Sequence, residues 1–196
     1  MSIQLNWYMW ENAQTANTHA LALRIIKIMA MINTNWAQYG LVSDQTGVPR
    51  HVIACIDYRE TGFNHSAWLA NGDPLYNSDG IPIPSSHEPK GLGPATNWVS
   101  GAVLSLKSQS LYKAKSWDLL SALHELEAWN GFGYSNRGMN SPYLWSKTQF
   151  YNKGLFIQDG DFDPEAEDYS FGCVPILKEL KMQGFDLNEI PPKDAA

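Results

Sequence analysis

Apolar residues recur at helical spacing in four separate stretches, and each stretch is closed by turn-forming residues. That pattern limits the chain to a predominantly helical fold. Leu21, Ile25, Ile28, Met29 and Ile32 define a helix from about Thr18 to Ile32. A polar stretch, Asn33 to Gly47, separates it from a second helix, which opens at Val48-Pro49, where proline suits the first turn. The second stripe is Val48, Val52, Ile53 and Ile56, and Gly62 is placed to terminate it. Trp98, Val99, Ala102, Val103 and Leu106 predict a third helix. Leu119, Leu120, Leu123 and Leu126 predict a fourth, from about Trp117 to Trp129, and a last helix spans about Gly172 to Met182.

Between the second and third helices the pattern changes. Asn71-Gly72-Asp73-Pro74 and Asn77-Ser78-Asp79-Gly80 are turn signals, and Ile81-Pro82-Ile83-Pro84 is restricted to an edge or irregular extended piece. Residues 130–163 are rich in Gly, Tyr, Ser and Asn and read as irregular. The expected class is α+β, predominantly α-helical, with a small β-hairpin-like excursion. The chain reads as one domain, 1–196: an N-terminal helical extension over 1–47, a core over 48–182 and a tail over 183–196. With 196 residues the chain is long enough to bury a core without a disulfide or metal staple. Cys55 and Cys173 lie in apolar helical patterns and read as buried free thiols.

Charge excludes one class of partner. Fourteen basic against 20 acidic residues leave no basic footprint for nucleic acid. Six of the acids fall between Asp159 and Asp168, where there is no Lys or Arg, so the rest of the chain is balanced. No run is long and apolar enough for membrane insertion, and no export signal is visible at the start, so the expected site of synthesis is the cytoplasm.

Glu60 stands out among the carboxylates. It follows Val52 and Ile56 at steps of four, so an acid closes the apolar stripe of the second helix. It also sits at the helix C-terminus, where the macrodipole disfavours an anion. Burial and dipole both favour the protonated form, which is what a general acid needs.

The string Ala54-Cys55-Ile56-Asp57-Tyr58-Arg59-Glu60-Thr61-Gly62-Phe63-Asn64 resembles the catalytic helix end of the lysozyme superfamily, especially goose-type lysozymes and lytic transglycosylases. There an apolar helix runs into Glu-Ser-Gly; here Thr61 replaces Ser. A longer similarity follows in Glu127-Ala128-Trp129-Asn130-Gly131-Phe132-Gly133-Tyr134, Gly138-Met139-Asn140-Ser141-Pro142-Tyr143-Leu144-Trp145-Ser146, Tyr151-Asn152-Lys153-Gly154 and Asp159-Gly160-Asp161-Phe162-Asp163. This block resembles one found in phage and bacterial lysozyme-like proteins of the endolysin type, and the likeness covers roughly residues 48 to 182.

The resemblance implies a lysozyme-like fold whose small β excursion flanks a cleft, and a peptidoglycan glycosidase. Its substrate would be the β-1,4 bond between N-acetylmuramic acid and N-acetylglucosamine, with Glu60 as the acid. It also implies action on the cell wall after release through a holin. The partner is then a peptidoglycan glycan strand, and no cofactor is called for.

Glycoside cleavage commonly uses a second carboxyl group. Asp73 is the first candidate for water activation or charge stabilisation, Asp79 the reserve, and Asp57 the weakest because it shares a helix with Glu60. Seven rings lie between Trp129 and Tyr151, interleaved with neutral amides and hydroxyls. Rings of this kind suit the CH faces of a sugar, and the amides its OH edges. Trp129, Asn130, Tyr134, Asn140, Tyr143, Trp145 and Tyr151 are therefore candidate substrate contacts. An aromatic minicore explains the same enrichment.

Other chemistries fit less well. His124-Glu125-Leu126-Glu127-Ala128 lacks the second His of a zinc-protease helix, and the five histidines show no metal-ligand spacing. Asp159, Asp161 and Asp163 begin like a calcium loop, but Pro164 and Ser170 stand where the EF-hand needs Gly and Glu. The rival functions are a non-catalytic module of the same fold that binds cell-wall glycan or a phage structural partner, and a chitinase- or chitosanase-type glycanase.

Overall fold

The computed structural model describes residues 3–158 and 160–188. It is rich in helix, with seven α-helices and one two-stranded sheet among the described residues, which is the α+β class expected. The helices are α1 (Ile3–Asn12), α2 (His19–Thr46), α3 (Arg50–Thr61), α4 (Trp98–Ser108), α5 (Leu119–Asn130), α6 (Pro142–Trp145) and α7 (Cys173–Met182). Short 3-10 turns occur at Ser110–Lys113 and Ser135–Arg137. None of these helices is long and apolar enough to cross a membrane.

The described residues form two compact units, 3–29 with 118–187 and 30–117 with Asn188. In the first unit, α1 packs on α5, α5 on α6 and α6 on α7. Trp10 of α1 is buried there, its ring covered by the ammonium groups of Lys178 and Lys181 at 5.5 and 5.8 Å from the ring centre. Cys173 is a buried free thiol, as is Cys55 in the second unit.

α3, α4, α5 and α7 lie close to where the apolar stripes put them, and α3 ends on Gly62 in the left-handed region (φ 60°). Two expectations need correction. The first helix does not end at Ile32; α2 runs on to Thr46, through the stretch read as a polar connection. The residues that sustain it are Ile32, Asn35, Tyr39, Val42, Ser43 and Thr46, all buried and all on one face. Three are polar, which hides the stripe from a reading based on hydrophobicity. Thr46 Oγ1 satisfies itself by donating to the carbonyl of Val42, 2.8 Å away.

The paired strands are also elsewhere. Residues 69–84 make only single bridges, Ala67 with Pro74 and Tyr76 with Pro82, because prolines remove the donors a ladder requires. The antiparallel pair is β1 (Leu155–Gln158) with β2 (Asp161–Asp163), inside the stretch read as irregular. It is short and bulged between Phe156 and Gln158, and Phe156 faces Phe162 across it.

Gly172, at the N-terminus of α7, shows how tightly the first unit is closed. Its N–H donates to the Ser146 carbonyl at 2.9 Å, and a Cβ there would overlap the Leu144 carbonyl and lie 2.8 Å from Ser146 N. Both neighbours are backbone and cannot swing aside. Gly172→Ala is expected to destabilise the protein by about 3 kcal/mol, the upper end for overpacking. Urea denaturation measures this, and an unchanged midpoint refutes it.

Candidate functional site

The second unit holds the carboxylates singled out from the sequence. From His51 to Asp57 every residue of α3 is buried, and the half-buried ones are Arg50 at its start and Tyr58 to Thr61 in its last turn. Val52, Ile53 and Ile56 have no exposed surface, and Glu60, which continues their stripe, is half-buried at the helix end. The Asn71–Pro74 turn lies against that end. A Cβ on Gly72 (φ +75°) would stand 3.6 Å from the Glu60 carbonyl oxygen. Glu60 and Asp73 are thus brought to the same part of one unit.

Asp73 is buried, and its acceptor capacity is taken up by the segment 85–87. Oδ2 accepts from Ser86 N (2.7 Å), His87 N (2.8 Å), Ser86 Oγ (3.0 Å) and Ser85 Oγ (3.2 Å), and Oδ1 lies 2.5 Å from His87 Nδ1. Burial by itself raises a carboxyl pKa. Here the side-chain bond from His87, its backbone N–H and the two Ser86 donors outweigh it and hold Asp73 well below the usual carboxylate range. Such a group is a firmly ionised anchor for a loop. It is poorly suited to picking up a proton.

Asp57, the weakest of the three aspartates as a candidate from sequence, is the centre of a network. It has no exposed surface, and three side chains converge on it. Tyr39 Oη of α2 donates to Oδ2 at 2.8 Å, and the Thr61 hydroxyl lies 2.6 Å from Oδ1. His65 Nε2 is 2.9 Å from Oδ2. Burial, and then the Asp57 charge, push the Tyr39 phenol well above its ordinary range, so it stays a donor.

His65 arrives because the chain doubles back after α3. Gly62 (φ 60°) and Phe63 (φ 68°) are both left-handed. At Phe63, which carries a side chain, that conformation costs on the order of 1–2 kcal/mol. The imidazole then lies flat on Trp98 of α4, ring centres 3.9 Å apart and planes 11° from parallel, with Tyr39 edge-on to Trp98 at 5.8 Å. The His65 side chain is 19% exposed. Tyr39, His65 and Trp98 were missed from sequence. The signal present was the spacing Asp57, Thr61, His65 in steps of four across a glycine that ends the helix.

The candidate sugar contacts of the aromatic block all belong to the first unit. Four of the rings must be corrected: Trp129, Tyr134, Tyr143 and Trp145 are buried, and a ring without an open face cannot stack on a sugar. The Tyr134 hydroxyl accepts from Phe156 N at 3.0 Å, and its ring meets Phe156 and Phe162 edge to face. Arg137 covers both phenylalanines, 5.4 and 4.6 Å from the ring centres. Tyr151 is half-buried, its phenol raised by burial and engaged by the Gly154 carbonyl and Asp168 N–H. Asn140 is half-buried and donates to the Phe150 carbonyl, whereas Asn130 is exposed. The block is mainly a minicore.

The Asp159 end of the acidic loop lies outside the described residues. Asp163 caps the backbone of Glu165 and Ala166. Among the described residues no three His, Cys, Asp or Glu side chains are grouped so as to hold a metal ion.

Comparison with known proteins adds no relative, since no protein-family model, curated protein or solved structure matches the chain.

The Asp73 anchor has a definite pH signature. Because its folded pKa is depressed, its contribution is complete above the unfolded value near 4 and is lost as pH falls through the folded value. Asp73→Asn is expected to cost about 1.5–3 kcal/mol at pH 7, the range for a hydrogen bond to a charged group. The difference from wild type should shrink as pH is lowered below about 4. Urea titrations at a series of pH values measure it, and a difference constant down to pH 2 contradicts an ionised Asp73.

Proposed function

We propose that the protein is a peptidoglycan glycosidase, with Glu60 as the acid that protonates the bridging oxygen of the β-1,4 bond between N-acetylmuramic acid and N-acetylglucosamine. The observation that carries this reading is Glu60 itself: a half-buried carboxyl group ending an otherwise buried helix face, beside the Asn71–Pro74 turn. In its acid form such a carboxyl group can give a proton to a leaving oxygen. The resemblance of residues 54–64 to the catalytic helix end of goose-type lysozymes and lytic transglycosylases supports the same role.

In this reading Glu60 gives its proton to the leaving oxygen as positive charge develops at the anomeric carbon. Asp73 holds the loop 85–87 in place and does not handle protons.

Clearance of a purified peptidoglycan suspension tests the reading. Wild type is expected to clear it, and Glu60→Gln, which keeps the shape and loses the acid, is expected to be slower by at least about a hundredfold. Product masses then separate hydrolysis from intramolecular attack by the muramyl 6-hydroxyl, which leaves an anhydro sugar. A wild type that clears nothing, or a Gln variant that clears as fast, overturns the assignment. Sedimentation of an inactive wild type with peptidoglycan would favour the binding module, and cleavage of chitin or chitosan oligomers alone the related glycanases.

A further inference from the structure

We propose that His65 is the base of this site, with Nδ1 accepting the proton of the attacking hydroxyl group while Glu60 protonates the leaving oxygen. This inference rests on the glycosidase reading and supplies the group that reading lacks. The second proton-transfer group was expected to be Asp73, but both of its oxygens are occupied by the 85–87 segment.

His65 has the placement that such a base requires. Its Nε2 is 2.9 Å from a carboxylate with no exposed surface, so in the neutral ring Nε2 carries the hydrogen and Nδ1 carries the lone pair. Asp57 is kept in position by two further donors, the Tyr39 and Thr61 hydroxyls, which leave it little freedom to turn away. The stack on Trp98 fixes the plane of the ring. Nδ1 has no partner among the described residues, and the side chain reaches solvent at its 19% exposed part. A buried carboxylate, an imidazole oriented by it and an unengaged second nitrogen make up an activated base.

The helix relates the acid to the carboxylate that holds His65. Asp57 and Glu60 are three residues apart on α3, which makes them neighbours on its surface. His65 folds back onto the first of that pair. The hydroxyl oxygen bonds to the anomeric carbon and its proton passes to His65 Nδ1. The bond from the anomeric carbon to the bridging oxygen breaks, and the Glu60 proton passes to that oxygen. The enzyme is left with imidazolium and carboxylate, and solvent returns the proton. The attacking hydroxyl can be water or the muramyl 6-OH, and product mass distinguishes them.

The test uses the full chain and purified peptidoglycan, with wild type and Glu60→Gln alongside. His65→Phe keeps a flat ring for Trp98 and removes both nitrogens. It is expected to lower kcat by about a hundredfold or more, with KM within about threefold. His65→Ala opens a space of imidazole size, and added imidazole is expected to restore about tenfold of the lost rate. A Phe variant that keeps a third of the wild-type rate overturns the proposal. So does an Ala variant that imidazole leaves unimproved, since that outcome assigns the ring to packing.

Nitrogen NMR of the wild-type histidines decides the point if neither variant folds. The proposal requires the Nε2–H tautomer at His65 and is overturned by Nδ1–H. Wild type inert toward peptidoglycan brings down the glycosidase reading and this base with it. Active wild type, inactive Glu60→Gln and fully active His65 variants bring down the base alone.

Discussion

A carboxylate sealed from solvent has to be compensated in place, and Asp57 collects its donors from three parts of the chain. Tyr39 comes from α2, Thr61 from the next turn of α3, and His65 from beyond the Gly62 cap. Each hydrogen bond to a charged group contributes about 1.5–3 kcal/mol, and removing one donor leaves part of a buried charge unmatched. The cluster therefore ties α2, the end of α3 and the reversed chain to one point. Trp98 adds α4 through its stack on the histidine. The left-handed Phe63 is tolerated because the contacts it permits outweigh its cost.

Three carboxylates of the unit, Asp57, Glu60 and Asp73, show how environment separates chemically equivalent groups. Asp73 is surrounded by donors and is an ionised anchor. Asp57 is buried among donors that are themselves positioned, so it orients rather than reacts. Glu60 alone is half-buried at a helix end. Under the proposed reading, such unequal surroundings let one carboxyl group act on substrate while the others hold the fold.

Much of this was legible in the sequence, and the failures have physical causes. The apolar stripes of α3, α4 and α5 and the glycine stop of α3 were readable because one face of each helix is buried and its spacing is regular. The stripe of α2 is hidden beyond Ile32 because Asn35, Ser43 and Thr46 occupy buried positions, and their polarity reads as solvent exposure. The rings between Trp129 and Tyr151 were visible as an enrichment, but composition does not say which way a ring faces, and most turn inward. Glu60 could be picked out because it breaks an apolar pattern. His65 could not, since its partner lies across a chain reversal that spacing alone does not resolve.

The buried polar face of α2 carries a further consequence, for register. An all-apolar seam tolerates sliding, because one aliphatic contact replaces another at little cost. In the part of α2 from Asn35 to Thr46, a shift of one helical turn, about 5.4 Å, would carry the Tyr39 hydroxyl away from Asp57. That would leave a phenol and a carboxylate in the core without each other. Only one axial placement of α2 against α3 keeps both satisfied. The contact that orients His65 is thus also the notch that locks two helices in a single alignment, and the geometry of the site is set wherever this core is correctly assembled.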